Sequence, residues 1–298
     1  MGRNDTGCAH KCVCLYINML PYFDDFLLYL QANNYSPETR YNYERDLLVF
    51  DNFLKKEVNV KDFGKISKRT IEAYKAYLIS RDRKTAGNKQ GEKDLQSGSI
   101  NRHLSSLRGY LRYLIEMDYS SPIIPENVKL VKTEKKVSKV AELPSLIKLI
   151  ESPSKFESSP VIAKRNRALL EVLFSTGMRI SEATRLTRVQ IDSAGQIYIM
   201  GKGKKERFVY LTPRAQKHLR AYLVTRPDNL PAVFIPYRGR NAPSKNKFLS
   251  TNYAQEKIKQ YRERLGINVP TSAHSLRHGF ATYLAEQGAN PADRKSVV

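Results

Sequence analysis

The chain has 298 residues, enough for about two domains. Hydrophobic residues make up 41% of it, which suffices for packed cores, and 51 Lys and Arg against 29 Asp and Glu give a net charge of +22. Because the basic residues are spread along the whole chain, this surplus favours nucleic acid as a partner over a membrane surface. No apolar run reaches the length of about 18 residues that predicts a membrane span, and no secretory signal is evident, so we expect a cytoplasmic protein.

Residues 1–19 are expected to be a disordered or spurious N-terminal segment. Their potential metal ligands are Cys8, His10, Cys12 and Cys14. The spacing fits none of the usual zinc-ligand pairs and no second ligand cluster follows, so we expect no metal site. Met19 directly precedes the first amphipathic helix, which leaves the true N-terminus open between Met1 and Met19.

Residues 20–119 are predicted to form a helical unit, because apolar residues recur at helical spacing in four stretches. Ser36-Pro37 and Ser67 supply N-terminal caps for the second and third helices. The four apolar stripes comprise Phe23, Phe26, Leu27 and Leu30; Tyr43, Leu47, Phe50 and Leu54; Ile71, Tyr74 and Leu78; and Ile100, Leu104, Leu107, Leu111 and Leu114. Arg102, Arg108 and Arg112 lie off the fourth stripe, where a solvated face and a phosphate-contacting face are both open.

Residues 120–140 are predicted to be a basic linker. Pro122 and Pro125 interrupt helix formation, and a run of lysines follows. The lysines are Lys129, Lys132, Lys135, Lys136 and Lys139. Such a segment could lie along a DNA backbone, or it could simply be extended by its own charge.

Residues 141–298 are predicted to form a second, mostly helical unit with a small antiparallel sheet. The apolar run at 169–174 predicts a helix buried on more than one side, and Gly177 is placed to end it in a left-handed conformation. Arg179 follows at once, and Ser181 is placed to cap the next short helix. Strands are predicted at 196–200 and 207–211, and helices near 213–225, 251–265 and 274–288.

Four residues of this unit combine anion binding with proton transfer: Arg179, Lys202, His274 and Arg277. The planar arginine side chain donates two parallel hydrogen bonds to a phosphodiester, and a lysine at a hairpin tip can deliver a proton to a leaving alkoxide. His274 and Arg277 are three residues apart and share one helix face. Each residue also has a simpler interpretation: an ion pair with Glu182 for Arg179, an ordinary hairpin turn around Lys202, and a structural role for His274.

Three segments together resemble the tyrosine recombinase family. They read Thr-Gly-Met-Arg-Ile-Ser-Glu at 176–182, Gly-Lys-Gly-Lys-Lys-Glu-Arg at 201–207 and His-Ser-Leu-Arg-His-Gly-Phe-Ala-Thr at 274–282. The amino-acid sequences of these segments are most similar to those of the Xer-like and the integron or transposon integrase branches. The resemblance covers nearly the whole chain from about residue 20 onward.

The resemblance implies a mainly α fold, with a four-helix, SAM-like core-binding domain over 20–119 and a catalytic domain with a small antiparallel sheet over 141–298. It implies that Arg179 and Arg277 hold the scissile phosphate, that Lys202 is the general acid, that His274 assists proton transfer and that Glu182 orients the site. Double-stranded DNA would be cut through a 3′-phosphotyrosine and exchanged in a homo- or hetero-tetramer, without a cofactor. The expected DNA contacts are Arg102, Arg108, Arg112, Lys132, Lys135, Lys136, Lys204 and Lys205.

The family's second His or Trp and its nucleophilic tyrosine would both fall beyond Val298. Tyr261 and Tyr283 are expected to be packing residues, so none of the 18 tyrosines is expected to replace the nucleophile. We therefore expect a catalytic domain that is incomplete at its C-terminus, in a chain that is inactive. Residues 293–298 also leave the family's pattern and can be encoded by GAT CGG AAG AGC GTC GTG, which matches a common sequencing-adapter oligonucleotide.

Two alternatives stay open. One is a DNA-binding protein without catalysis, and the other is a type IB topoisomerase, which shares the Arg-Lys-Arg-His chemistry. The core-binding segment argues against the topoisomerase, and strand transfer between two sites would separate the two enzymes. The target site, the partner recombinase and the choice between chromosome dimer resolution and phage or mobile-element integration are not determined by the sequence.

Overall fold

A computed structural model of the chain describes residues 19–58, 62–80, 94–133, 141–200, 206–239, 242, 247–286 and 288. Within these residues there are eleven α-helices and one two-stranded sheet, which confirms the predicted mainly α fold. None of these helices is both long enough and apolar enough to cross a membrane. The chain divides into two compact units between residues 136 and 137. Outside the described residues lie the cysteine-containing segment 1–18, Lys135, Lys136, Lys139, Lys202, Lys204, Lys205 and residues 289–298.

Four α-helices and two short 3-10 helices build the first unit. They are α1 (Phe23–Ala32), α2 (Pro37–Lys56), α3 (Lys68–Ile79) and α4 (Ser97–Glu116), with 3-10 helices at Phe63–Lys65 and Pro125–Asn127. Both predicted caps are confirmed, because the side chains of Ser36 and Ser67 accept hydrogen bonds from the backbone N–H three residues on. The apolar stripes meet in one core, in which Leu47, Tyr74 and Leu104 are fully buried.

The described part of the predicted linker packs against this first unit. Ile123 and Val128 are buried in its core. The Asn101 side chain on α4 exchanges two hydrogen bonds with the backbone of Val131, at 2.8 and 3.0 Å. Apolar residues between and just after the two prolines therefore hold this stretch on the first unit, so that it does not extend as a charged chain.

The second unit combines seven helices, one 3-10 helix and the sheet. In chain order these are α5 (Leu143–Glu151), α6 (Pro153–Phe156), α7 (Pro160–Thr176), α8 (Ile180–Thr184), the 3-10 helix Arg188–Gln190, β1 (Gln196–Met200), β2 (Glu206–Tyr210), α9 (Pro213–Leu223), α10 (Thr251–Arg264) and α11 (Ala273–Glu286). The strands pair in antiparallel register, with Tyr198 opposite Phe208. β2 begins one residue earlier than predicted.

Helix α7 is the centre of the second core. Leu169, Leu170, Val172 and Leu173 are all buried, which confirms a helix covered on more than one side. The helix ends at Gly177, whose φ of 58° is left-handed and whose N–H donates to the Leu173 carbonyl at 3.1 Å. The predicted glycine cap is therefore confirmed, and it fixes the direction in which the chain leaves α7.

Candidate active site

The turn after α7 positions Arg179. This residue is the N-cap of α8, and its backbone N–H donates to Glu182 Oε2 at 2.8 Å. The prediction that Ser181 caps this helix is wrong, because Ser181 lies within it. A glutamate at the third helical position commonly accepts this N–H, so the helix start is satisfied without the serine.

Glu182 accepts hydrogen bonds from two arginine side chains that belong to different elements. Arg179 Nη1 donates to Glu182 Oε1 at 3.1 Å, and Arg207 of β2 donates from both terminal nitrogens, at 2.6 and 3.3 Å. Burial raises the pKa of Glu182, but hydrogen bonds from Arg207 and from the Arg179 backbone outweigh it, and the net pKa lies below the ordinary value. The carboxylate is therefore ionised and holds β2 against α8.

Arg277 reaches the same place from α11. Its side chain is buried, and Nη1 donates to the Gly177 carbonyl at 2.5 Å. Burial lowers the pKa of Arg277, and repulsion from Arg179 and Arg207 lowers it further, against the attraction of Glu182. Among the described residues, three guanidinium groups thus surround a single carboxylate, which leaves an excess of positive charge suited to an anion.

His274 stands one turn before Arg277 on the same face of α11. Burial lowers its pKa most, followed by the charges of His278, Arg277 and Arg179. A histidine with a lowered pKa is neutral at neutral pH and can accept a proton. No group of three or more His, Cys, Asp or Glu side chains that could hold a metal ion occurs in the part of the chain that the structure describes.

The structure brings together Arg179, Glu182, His274 and Arg277, as the sequence predicts. Lys202 lies outside the described residues, in the segment 201–205 between the paired residues Met200 and Glu206.

The sequence prediction missed two residues of this site, Arg207 and His278. Arg207 could have been found by strand alternation, because it shares a face of β2 with the buried Val209 whereas Phe208 points outward. His278 stands at i+4 from His274, a spacing that places two side chains together on a helix.

The predicted DNA-contact residues of the first unit are partly engaged with carboxylates. Arg102 Nη1 lies 2.6 Å from Asp46 Oδ1, and Arg112 Nη2 lies 4.0 Å from Glu126 Oε1. Both arginine side chains are nevertheless about half exposed, at 47% and 52%. Arg108 is half-buried and Lys132 is exposed.

Comparison with known proteins agrees with this geometry. The profile of the phage integrase family matches residues 139–293, and that of the phage integrase N-terminal SAM-like domain matches residues 23–117. The tyrosine recombinase XerC of Lacticaseibacillus casei strain BL23 is 33% identical over 278 residues, which cover 89% of this chain and 85% of the relative.

Solved structures with similar folds are at most distantly related in sequence. The XerH recombinase bound to a palindromic difH substrate, in a post-cleavage complex, has a TM-score of 0.66 at 21% identity and covers 92% of this chain and 76% of its own. A lambda integrase tetramer bound to a Holliday junction has a TM-score of 0.69 at 14% identity and covers 95% and 77%. The profile matches and the relative at 33% identity establish that the chain belongs to the phage integrase family of tyrosine recombinases.

Proposed function

We propose that this protein is a site-specific DNA recombinase whose chemistry is centred on Arg179 and Arg277. The observation that carries the proposal is the cluster of three arginines around Glu182, with the neutral His274 beside it. Arginine pairs bind a phosphodiester through parallel hydrogen bonds and stabilise the added charge of a pentacoordinate transition state. No cofactor or metal is needed for this chemistry.

Each residue then has a distinct task. Arg179 and Arg277 hold the scissile phosphate, and Glu182 keeps Arg179 and Arg207 in place. His274 accepts the proton of the attacking hydroxyl, and Lys202 protonates the leaving 5′ oxygen. If Lys202 is the general acid, Lys202→Ala should cleave a substrate with a 5′-bridging sulfur much better than its oxygen counterpart, because sulfur leaves without a proton. Equal loss on both substrates would remove Lys202 from this role.

The nucleophilic tyrosine is proposed to be absent from the 298-residue chain. In the second unit, Tyr222 and Tyr261 are buried, and Tyr237 and Tyr253 stack on the guanidinium of Arg165. Tyr198 and Tyr210 lie on the outer face of the sheet, opposite the face that carries Arg207. Tyr283 follows Arg277 by six residues on α11, about 240° around the helix axis. The remaining chemistry of this chain is DNA binding without cleavage.

The proposed partner is double-stranded DNA, and the proposed assembly of an intact enzyme is a tetramer on DNA. The XerH complex and the lambda integrase tetramer support these two points by their bound DNA. The cations proposed to contact the backbone are Arg102, Arg108, Arg112, Lys132, Lys135, Lys136, Lys204 and Lys205. We propose that the protein acts in the cytoplasm, where its DNA substrate lies.

The test compares the 298-residue chain with a chimaera in which the C-terminal part of the Lacticaseibacillus casei relative follows residue 288. The 298-residue chain is first mixed with fragments of genomic DNA, and the fragments that it retains are made into nicked suicide substrates. Covalent protein–DNA adducts are then detected on denaturing gels. We expect both proteins to bind with strong salt dependence and only the chimaera to form an adduct. An adduct with the 298-residue chain would refute the proposal that this chain has no nucleophilic tyrosine. A chimaera that binds but never forms an adduct would refute the proposed cleavage.

A further inference from the structure

Two histidines one helical turn apart on α11 are joined at their ring nitrogens. His274 Nε2 and His278 Nε2 are 2.8 Å apart, and the ring planes meet at 86°. A separation this short between two nitrogens is a hydrogen bond, which requires a hydrogen on one nitrogen and a lone pair on the other. The two imidazoles therefore cannot choose their tautomers independently.

The packing of α11 fixes His278 in this position. Leu276 is fully buried, and a Cβ on Gly279 would lie 2.4 Å from Leu146 Cδ1 of α5. Phe280 packs edge-on against Phe174 of α7, with ring centroids 6.3 Å apart. Because these contacts lie on both sides of His278 in the sequence, its backbone cannot move away from His274.

The positive charges near His274 disfavour a further positive charge at this place, on the ring of His274 itself. After burial and His278, the groups that lower its pKa are Arg277 on α11 and Arg179 at the junction of α7 and α8. A proton accepted by His274 is therefore better tolerated if another proton leaves the ring at the same time. Nε2 of His278, 2.8 Å from Nε2 of His274, is within hydrogen-bond reach to receive it.

We propose, resting on the function proposed above, that His278 is a positioning residue that prepares His274 as the proton acceptor. His274 donates from Nε2 to His278 Nε2, which leaves Nδ1 of His274 as the acceptor. When that Nδ1 takes the proton of the attacking hydroxyl, the Nε2 proton passes to His278. His274 ends neutral with its hydrogen on Nδ1, and His278 ends as the imidazolium.

Imidazole nitrogen spectra of the 298-residue chain, labelled with ¹⁵N-histidine, test this proposal. Only five histidines contribute signals. We expect His274 to carry its hydrogen on Nε2 and to titrate in two steps, because the two rings share protons. His278→Phe should give mixed His274 tautomers and a single step. His278→Gln should restore the tautomer, because its amide oxygen stands where Nε2 stood and accepts the His274 Nε2 hydrogen, but it should not restore the second step.

His218→Gln is the matched control, because His218 on α9 lies beside Glu171, at 3.8 Å, and its replacement should leave the His274 signals unchanged. If His278→Phe fails to fold, His278→Gln alone decides, by loss or retention of the second titration step. A wild-type His274 with its hydrogen on Nδ1, or a two-step titration that survives in His278→Gln, would overturn the proposal. The spectra need neither DNA nor cleavage. A chain with the expected tautomers whose chimaera forms no adduct would therefore refute only the proposed function.

Discussion

One cluster of arginine and glutamate side chains includes residues of α7, and a second lies just after this helix. The two clusters differ in the number of guanidinium groups for each carboxylate. In the first cluster, Glu171 and Glu151 face Arg167 and Arg214, with contacts of 2.7 to 3.5 Å. In the second, Glu182 alone faces Arg179 and Arg207, with the buried Arg277 beside them. The residue types are the same, but only the second cluster has more guanidinium groups than carboxylates among the described residues.

The difference separates a structural cluster from a binding site. Paired charges that satisfy one another stabilise a fold and leave little attraction for a ligand, whereas unbalanced cations repel one another until an anion arrives. Burial lowers the pKa of Arg277 most, and repulsion from Arg179 and Arg207 lowers it further, as expected where cations outnumber carboxylates. We therefore expect substitutions in the first cluster to reduce stability and those in the second to reduce function.

The largest effect is expected for Glu171→Ala. The Glu171 side chain is only 4% exposed, and its removal leaves Arg167 and Arg214 with the half-exposed Glu151 in place of a buried carboxylate. Breaking a buried ion pair from one side typically costs about 3–5 kcal/mol. Urea denaturation should show this loss in the free energy of unfolding, and a cost below about 1 kcal/mol, typical of an exposed pair, would remove the contrast.

Arg277→Ala, made in the cleavage-competent chimaera, should lower the cleavage rate by about 10²- to 10³-fold, the usual cost of losing one preorganised charge donor. DNA binding should fall far less, because many other cations contact the backbone. Gel shifts and adduct yields measured on the same preparation separate the two effects. Near wild-type cleavage would show that Arg277 does not hold the phosphate.

Gly279→Ala tests the packing of α11, the helix that carries Arg277, without touching a charge. The new Cβ would lie 2.4 Å from the buried Leu146, and such overpacking costs about 1–3 kcal/mol, against a gain of up to about 1 kcal/mol in helix propensity. We expect net destabilisation in thermal melts. Gly98→Ala on α4 is the control, because its Cβ meets nothing within 4 Å and should be neutral or stabilising. Equal results for the two variants would show that α11 is not closely packed on α5.

The smallest effect is expected from the titration of Glu182. Because its pKa is lowered in the folded chain, the unfolded state binds the proton first. The stabilisation is complete above the ordinary pKa of about 4.3 and is lost as the pH falls through the lowered value. Glu182→Gln should therefore lose less unfolding free energy than wild type on acidification from about pH 5 to pH 3. An identical acid loss in both proteins would contradict the pairing of Glu182 with Arg207.

Local patterns predicted the framework of this site well. The Gly177 cap, the buried helix α7 and the shared face of His274 and Arg277 all follow from short-range rules of helix geometry. The resemblance added Glu182 to the predicted site, and in the structure Glu182 accepts hydrogen bonds from Arg179 and Arg207.

The parts that sequence reasoning missed depend on contacts between elements. Ser181 lost its predicted capping role because α8 begins at Ile180, which makes Arg179 the N-cap. Arg207 entered the site because its side chain on β2 reaches Glu182 of α8. The segment after Pro122 packs on α4 because Ile123 and Val128 are buried in the core of the first unit. A single sequence gives the residues of such contacts but not their partners.

The most direct test of the central claim compares Arg179→Ala with Arg214→Ala. The two arginine side chains are equally exposed, at 43% and 45%, and each pairs with glutamate. Calorimetric titration with orthovanadate, a tetrahedral analogue of phosphate, should give wild-type affinity for Arg214→Ala and at least about tenfold weaker binding for Arg179→Ala. Unchanged affinity in Arg179→Ala, or an equal loss in both variants, would contradict the claim that the cluster around Glu182 is the phosphate site.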